Sequence, residues 1–164
     1  MTTYLGEVAK GRAAPPERAD DGSPTLLYLV GRVDRVVRRA VDEAARPYGL
    51  SVSQYTTLSV LARRSGLSNA QLARRSLVSP QSMNEVLLAL EQRGLVRRRA
   101  HPDHGRILQA QLTAKGRKVL AACNERVAAV EAQMVGELSG ADQAALRAAL
   151  VQCVRALHGG LESD

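Results

Sequence analysis

The sequence contains no phenylalanine and no tryptophan, and its only aromatics are four tyrosines. Base stacking on aromatic platforms, the usual way of holding single-stranded nucleic acid, is therefore poorly provided for. Cysteine is scarce as well: Cys123 and Cys153 are too few and too far apart for a disulfide framework or a zinc site. No apolar run approaches the roughly eighteen residues that a membrane-spanning helix needs, so no membrane partner is expected. The opening residues, MTTYLGEVAKGR, lack the apolar stretch of a secretion signal. A reduced, cytoplasmic protein is the expectation. Titratable groups do not converge either. His101, Asp103 and His104 share one short stretch, but nothing pairs a nucleophile with a base, and no phosphate-loop or metal-ligand spacing appears. Neither an enzyme nor a cofactor or metal is expected.

What the sequence does have is positive charge, and its placement is uneven. The 164 residues carry 23 Lys and Arg against 16 Asp and Glu, a formal charge of +7. Residues 1–24 are slightly acidic, residues 25–50 slightly basic, and residues 113–164 balance. Residues 51–112 hold nine arginines against Glu85, Glu91 and Asp103, and so carry +6 of the total. Localised positive charge suits a polyanion, because each neutralised phosphate releases counterions. Without further evidence, a solvated basic face made for solubility would explain it equally well.

Periodicity divides the chain further. Residues 6–24 mix Gly6, Gly11, Pro15, Pro16, Gly22 and Pro24 with charges and have no apolar period, so residues 1–24 read as a flexible arm. From Thr25, apolar residues fall at three- and four-residue steps until Pro47 and Gly49 end a first helix, the element of residues 25–50. A second helix opens at Ser51–Ser53. A short third follows Ser68 as N-cap, and a fourth follows Ser79 with Pro80 at its first position, where a missing N–H costs nothing. Met83, Val86, Leu87 and Leu90 form the inward face of that fourth helix, and Gly94 ends it. Residues 95–100 and 107–112 then read as two antiparallel strands around HPDHGR. Helix resumes at Thr113, with Leu120, Cys123, Val127, Val130, Met134 and Leu138 on one stripe, and a last helix begins near Ser139 or Asp142. Cys123 and Cys153 both fall on apolar stripes and are expected to be buried and unreactive.

Helix, short helix, turn, helix and two-stranded hairpin, in that order, make a winged helix-turn-helix over residues 51–112. Such a unit presents the start of its second helix to base edges in the major groove. Here that start carries Ser79, Pro80, Gln81, Ser82, Asn84 and Glu85. Gln and Asn can bond adenine through two hydrogen bonds, Glu can accept from cytosine, and Ser is tolerant. Ser68 and Asn69 at the start of the short helix join the expected contact set. In the hairpin, Arg98, Arg99, His104 and Arg106 are the residues expected at phosphates or in a narrow minor groove. The alternative is an ordinary amphipathic helix beside a solvated edge strand.

From Ser53 to Gly116 the sequence resembles MarR-type winged-helix regulators, notably in SNAQLARRSLVSPQSMNEVLLALEQRGLVRRR, followed by HPDHGR and LTAKG. One departure lies in the wing. Family members commonly carry an acidic residue two before the wing arginine, where this chain has His104; Asp103 is the nearest carboxylate. The resemblance implies a mainly α fold with a small β-hairpin, in which the helices of residues 25–50 and 113–164 are dimerisation helices. It also implies a homodimer on a pseudo-palindromic operator, regulating transcription, usually as a repressor. Two recognition helices related by a two-fold axis would meet major grooves roughly 34 Å apart. The competing reading is a non-specific or architectural DNA-binding protein without an effector.

The resemblance further implies release by a small aromatic carboxylate or phenol. By position, Tyr28, Arg32, Arg46 and Tyr55 are the candidates to line such a pocket, with an arginine pairing the anion and a tyrosine covering the ring. Each also has a plain structural reading, as a core tyrosine or a solvated helix arginine.

Overall fold

The computed structural model describes residues 22–100 and 107–157. All but the end of the expected arm, the wing loop HPDHGR and His158 therefore lie outside the described residues. The chain divides into two compact units, residues 1–35 and 36–164. Helix α1, Leu26–Ala45, runs through the division. In the first unit Thr25 Oγ1 accepts the Tyr28 N–H at 3.2 Å and so caps the start of α1. Leu26, Leu27, Leu29, Val30 and Val33 are all exposed.

The second unit is built from elements with well-formed ends. After Ala45 a 3-10 turn, Arg46–Tyr48, carries the chain through Pro47 to Gly49 at φ 65°. Helix α2, Val52–Arg63, and helix α3, Asn69–Arg75, each start with a full capping box. Ser51 and Gln54 exchange side-chain-to-backbone bonds at the first, Ser68 and Gln71 at the second. Helix α4, Pro80–Gln92, begins with Ser79 Oγ accepting the Ser82 N–H at 3.1 Å.

Helix α4 ends in a Schellman motif around Gly94. The Gly94 N–H reaches Glu91 O at 2.8 Å and the Leu95 N–H reaches Leu90 O at 2.9 Å. The turn between α3 and α4 uses the same motif with another residue in the left-handed position. Leu77, at φ 52°, donates to Arg74 O at 3.3 Å, and Val78 donates to Ala73 O at 3.0 Å.

Strands β2, Val96–Ala100, and β3, Leu108–Leu112, form the expected antiparallel pair, with Val96 opposite Leu112 and Ala100 opposite Leu108. A third strand accompanies them. Strand β1, Leu67–Ser68, pairs antiparallel with β3, giving the order β1-β3-β2. Two residues are too few to show a period, which is why pattern reading passes over this strand. Thr113 then joins the sheet to helix α5, Ala114–Val135. Its Oγ1 accepts the Gly116 N–H at 2.9 Å and donates to Gly94 O at 2.7 Å. Gly116 packs so closely there that a Cβ on it would overlap the Leu95 carbonyl oxygen. Helix α6, Gly140–Ala156, follows the Ser139 cap.

The core sits beneath the helix-turn-helix. Leu58, Leu61, Leu72, Met83, Leu87, Leu90, Leu95, Val96 and Cys123 are essentially inaccessible. Each fully buried aliphatic side chain contributes about 1.5–3 kcal/mol relative to exposure. One polar group lies among them: Thr57 donates its hydroxyl to Ser53 O at 2.8 Å. The apolar stripe of α5 is buried only in its first half, since Met134 is exposed, and Leu138, expected on that stripe, is exposed in the turn beyond the end of the helix. Helix α6 has no buried residue. Cys123 is buried as expected and desolvation raises its thiol pKa. Cys153 corrects the expectation: it is exposed, because nothing among the described residues covers its face of α6.

Candidate nucleic-acid interface

Helix α4 separates its two faces cleanly. Met83, Leu87 and Leu90 are buried against the core, while Gln81, Ser82, Asn84 and Glu85 are exposed. The cap makes this presentation possible, because it satisfies an otherwise orphaned N–H of the first turn and holds Pro80 at the helix start. Ser79 also donates its hydroxyl to Ser82 Oγ at 2.9 Å, so two of the expected contact residues are tied together at the helix tip. Asn69, at the start of α3, spans to the same tip by donating Nδ2 to Pro80 O at 2.9 Å. Ser68 is committed to its capping box.

The wing strand lies beside this helix. Arg97 and Arg99 on β2 are exposed, and Arg97 donates to Gln111 Oε1 at 3.4 Å. Arg98 is held differently. Its Nη2 lies 2.7 Å from Glu91 Oε2, its Nε donates to the same oxygen at 2.8 Å, and its side chain is only 18% exposed. Nη1 donates to Asn84 Oδ1 at 3.2 Å. The Arg98 hydrogen bond, assisted by that residue's backbone N–H and charge, holds the Glu91 carboxyl below the usual carboxylate range against an opposing effect of burial. His104 and Arg106, the other expected wing contacts, lie outside the described residues.

Arg93 is a further basic residue engaged inside the fold. Its guanidinium donates to Gly49 O at 2.7 Å and Tyr48 O at 2.8 Å, closing the turn after α1 onto the end of α4. Arg93 and Arg98 are thus both engaged by partners within the fold.

The four residues expected at a ligand fall in different settings. Arg32 lies one turn beyond Tyr28 on α1 and donates Nη1 to its hydroxyl at 3.3 Å, with the guanidinium carbon 5.9 Å from the ring centre. Arg46 is 3.2 Å from Asp42. Tyr55 donates its hydroxyl to Asn124 Oδ1 at 3.0 Å and lines a cavity of about 590 Å³ between α2 and α5. Val60, Leu120 and Val127 give that cavity apolar walls, and Arg63, Asn124 and Glu131 give it polar ones. Arg46 is not among its lining residues. Arg63 and Asn124 were not singled out by the sequence, since a helix-end arginine and a mid-helix asparagine carry no local signal of a shared cavity. Among the described residues no three His, Cys, Asp or Glu side chains are grouped to hold a metal ion. Nor is any of their helices long and apolar enough to cross a membrane.

Comparison with known proteins bears on this arrangement. Residues 48–107 match the model of the MarR family. The HTH-type transcriptional repressor Rv2887 of Mycobacterium tuberculosis is 41% identical over 125 residues, which are 76% of this chain and 88% of that one. The crystal structure of Rv2887 in complex with salicylic acid superposes with a TM-score of 0.66 at 37% identity, covering 81% of this chain and 98% of that one. A MarR-family regulator from Rhodococcus sp. RHA1 superposes with a TM-score of 0.71 at 26% identity, covering 78% and 94%.

Proposed function

The chain belongs to the MarR family, and on that premise we propose that it is a sequence-specific regulator of transcription, a repressor, that binds double-stranded DNA as a homodimer on a pseudo-palindromic operator. The observation that carries this reading is the exposed row Gln81, Ser82, Asn84 and Glu85 on a capped helix whose opposite face is buried, with the basic strand β2 beside it. In use, the first turns of α4 enter the major groove, where these side chains meet base edges. Ser68, Asn69, Ser79 and Pro80 lie at the helix tips that approach the backbone. Arg99, with His104 and Arg106 of the wing loop, completes the direct contacts, while Arg98, expected among them from its sequence position, acts through its bonds to Glu91 and Asn84. Dimerisation is assigned to the outer helices, whose exposed apolar residues need a partner: Leu26, Leu29 and Val33 on α1, and Leu146 and Leu150 on α6.

Release by a small aromatic anion is the second half of the proposal. Rv2887 has been crystallised with salicylic acid. In this chain the cavity of about 590 Å³ at Tyr55 falls within the range of small-molecule pockets and offers a tyrosine and Arg63 among apolar walls. Tyr28, Arg32 and Arg46 remain in the candidate set from their sequence positions. Such a ligand would act by favouring a dimer state with the wrong spacing between recognition helices.

The test is a titration of the full chain with duplex DNA from upstream of its own gene and with a scrambled duplex, both at physiological salt. A specific-to-non-specific ratio of ~10³ or more is expected for an operator binder. A ratio near one would instead establish the architectural reading. Added salicylate is expected to weaken operator binding. If affinity is unchanged by it, the effector half of the proposal falls and the DNA-binding half stands.

A further inference from the structure

An arginine between a glutamate and an asparagine settles how that asparagine is turned. The guanidinium has five donors and no acceptor, so the Asn84 amide atom facing Arg98 Nη1 at 3.2 Å has to be the oxygen. Arg98 cannot rotate away from it cheaply. Glu91 grips Nε and Nη2 at 2.8 and 2.7 Å and also accepts the Arg98 backbone N–H at 3.2 Å. With its oxygen engaged, Asn84 turns its Nδ2 donor away from the wing strand, while the residue itself is exposed on α4 next to Glu85 and one turn from Gln81.

That orientation matters for base readout. Asparagine bonds adenine through two atoms, its oxygen accepting from N6 and its nitrogen donating to N7. The Asn84 oxygen has a second lone pair beside the one that faces Arg98, so the held amide still offers an acceptor and a donor, now in one fixed order.

We infer that Arg98, fixed by Glu91, is a positioning residue for sequence readout: it holds the Asn84 amide in one orientation, so that Asn84 discriminates among bases at one position of each half-site. The inference rests on the proposed DNA-binding function and assigns Arg98 a role other than a direct phosphate contact.

The experiment measures affinity of the full-length protein for duplexes carrying each of the four base pairs at every position of its best site, at two salt concentrations. Three variants are compared with wild type: Asn84→Ala, Arg98→Lys and the pair combined. Wild type is expected to prefer one base by about tenfold at the position that Asn84 meets, and Asn84→Ala to lose that preference. Lysine keeps the charge but cannot bridge Glu91 and Asn84 in a plane. Arg98→Lys is therefore expected to lose the preference at the same position, with other positions and the salt slope unchanged. The combined variant should behave there like Asn84→Ala alone. Glu91→Gln, which removes the ion pair and leaves Arg98 in place, is expected to blunt the same preference and serves if Arg98→Lys does not fold.

Weakening of all sequences alike by Arg98→Lys, or a shallower salt slope, would make Arg98 a backbone contact and overturn the inference. Retention of the wild-type preference at that position in Arg98→Lys would also overturn it. A wild-type protein with no preference at any position would sink the proposed function, and this inference with it.

Discussion

Leu77 occupies a position that usually belongs to glycine. It is the left-handed residue, φ 52°, of the Schellman turn that separates the two helices of the helix-turn-helix, and its side chain is 74% exposed. A β-carbon in that conformation costs about 1–2 kcal/mol, and an exposed side chain recovers little of it by packing. Leu77→Gly is expected to stabilise the protein in urea unfolding by roughly 0.5–1 kcal/mol, after allowing for the larger unfolded-state entropy of glycine. A loss of stability would show that the leucine makes contacts worth more than the strain. Glu91 supplies a prediction about pH. Its carboxyl is held below its unfolded value, chiefly by the Arg98 side-chain hydrogen bond. The stabilisation is therefore complete above the ordinary carboxylate range and is lost as pH falls through the depressed folded value. Glu91→Gln should flatten the fall of melting temperature on acidification relative to wild type. Parallel curves for the two proteins would show that the pair adds nothing to acid sensitivity.

At the scale of elements, the caps were the most legible feature of the chain. Ser68, Ser79 and Thr113 each stand where a side-chain oxygen accepts a first-turn N–H, and Gly94 stands where a left-handed residue closes α4. These are local interactions, fixed by residues three or four apart, so a sequence displays them directly. Strand β1 was not legible. It exists because Leu67 and Ser68 meet Ala110 and Gln109, more than forty positions away. The same local logic makes the start of α4 testable. Ser79→Ala is expected to cost about 1 kcal/mol of stability, because the Ser82 N–H loses its acceptor. Ser79→Asp restores the cap but brings a negative charge to the helix tip. Stability should then return to near wild type while affinity for operator DNA stays reduced. Wild-type affinity in Ser79→Asp would place this helix end away from the phosphates.

At the scale of the whole molecule, what matters is the apolar surface that the described residues leave exposed. Leu146 and Leu150 on α6 are exposed although they lie on the apolar stripe of that helix, and Cys153 shares the exposure. For the proposed homodimer, Leu150→Glu is expected to leave helix content unchanged and to halve the mass measured by light scattering, from twice the 17.6 kDa chain to one chain. Operator affinity should fall with it, because two half-sites would no longer be bound together. A variant that remains dimeric would remove this part of α6 from the interface. The sequence by itself determined where helices start and stop, which face of α4 is apolar, and that the positive charge gathers in residues 51–112. All of these depend on residue type and near spacing. Only the tertiary structure decided what each arginine does. Arg93 closes the turn at Tyr48 and Gly49, some 45 positions away, and Arg98 bridges Glu91 and Asn84 across two elements. A run of three arginines reads as uniform charge in one dimension. In the folded strand alternate side chains face opposite ways, and so Arg97 and Arg99 are exposed while Arg98 turns inward to its carboxylate.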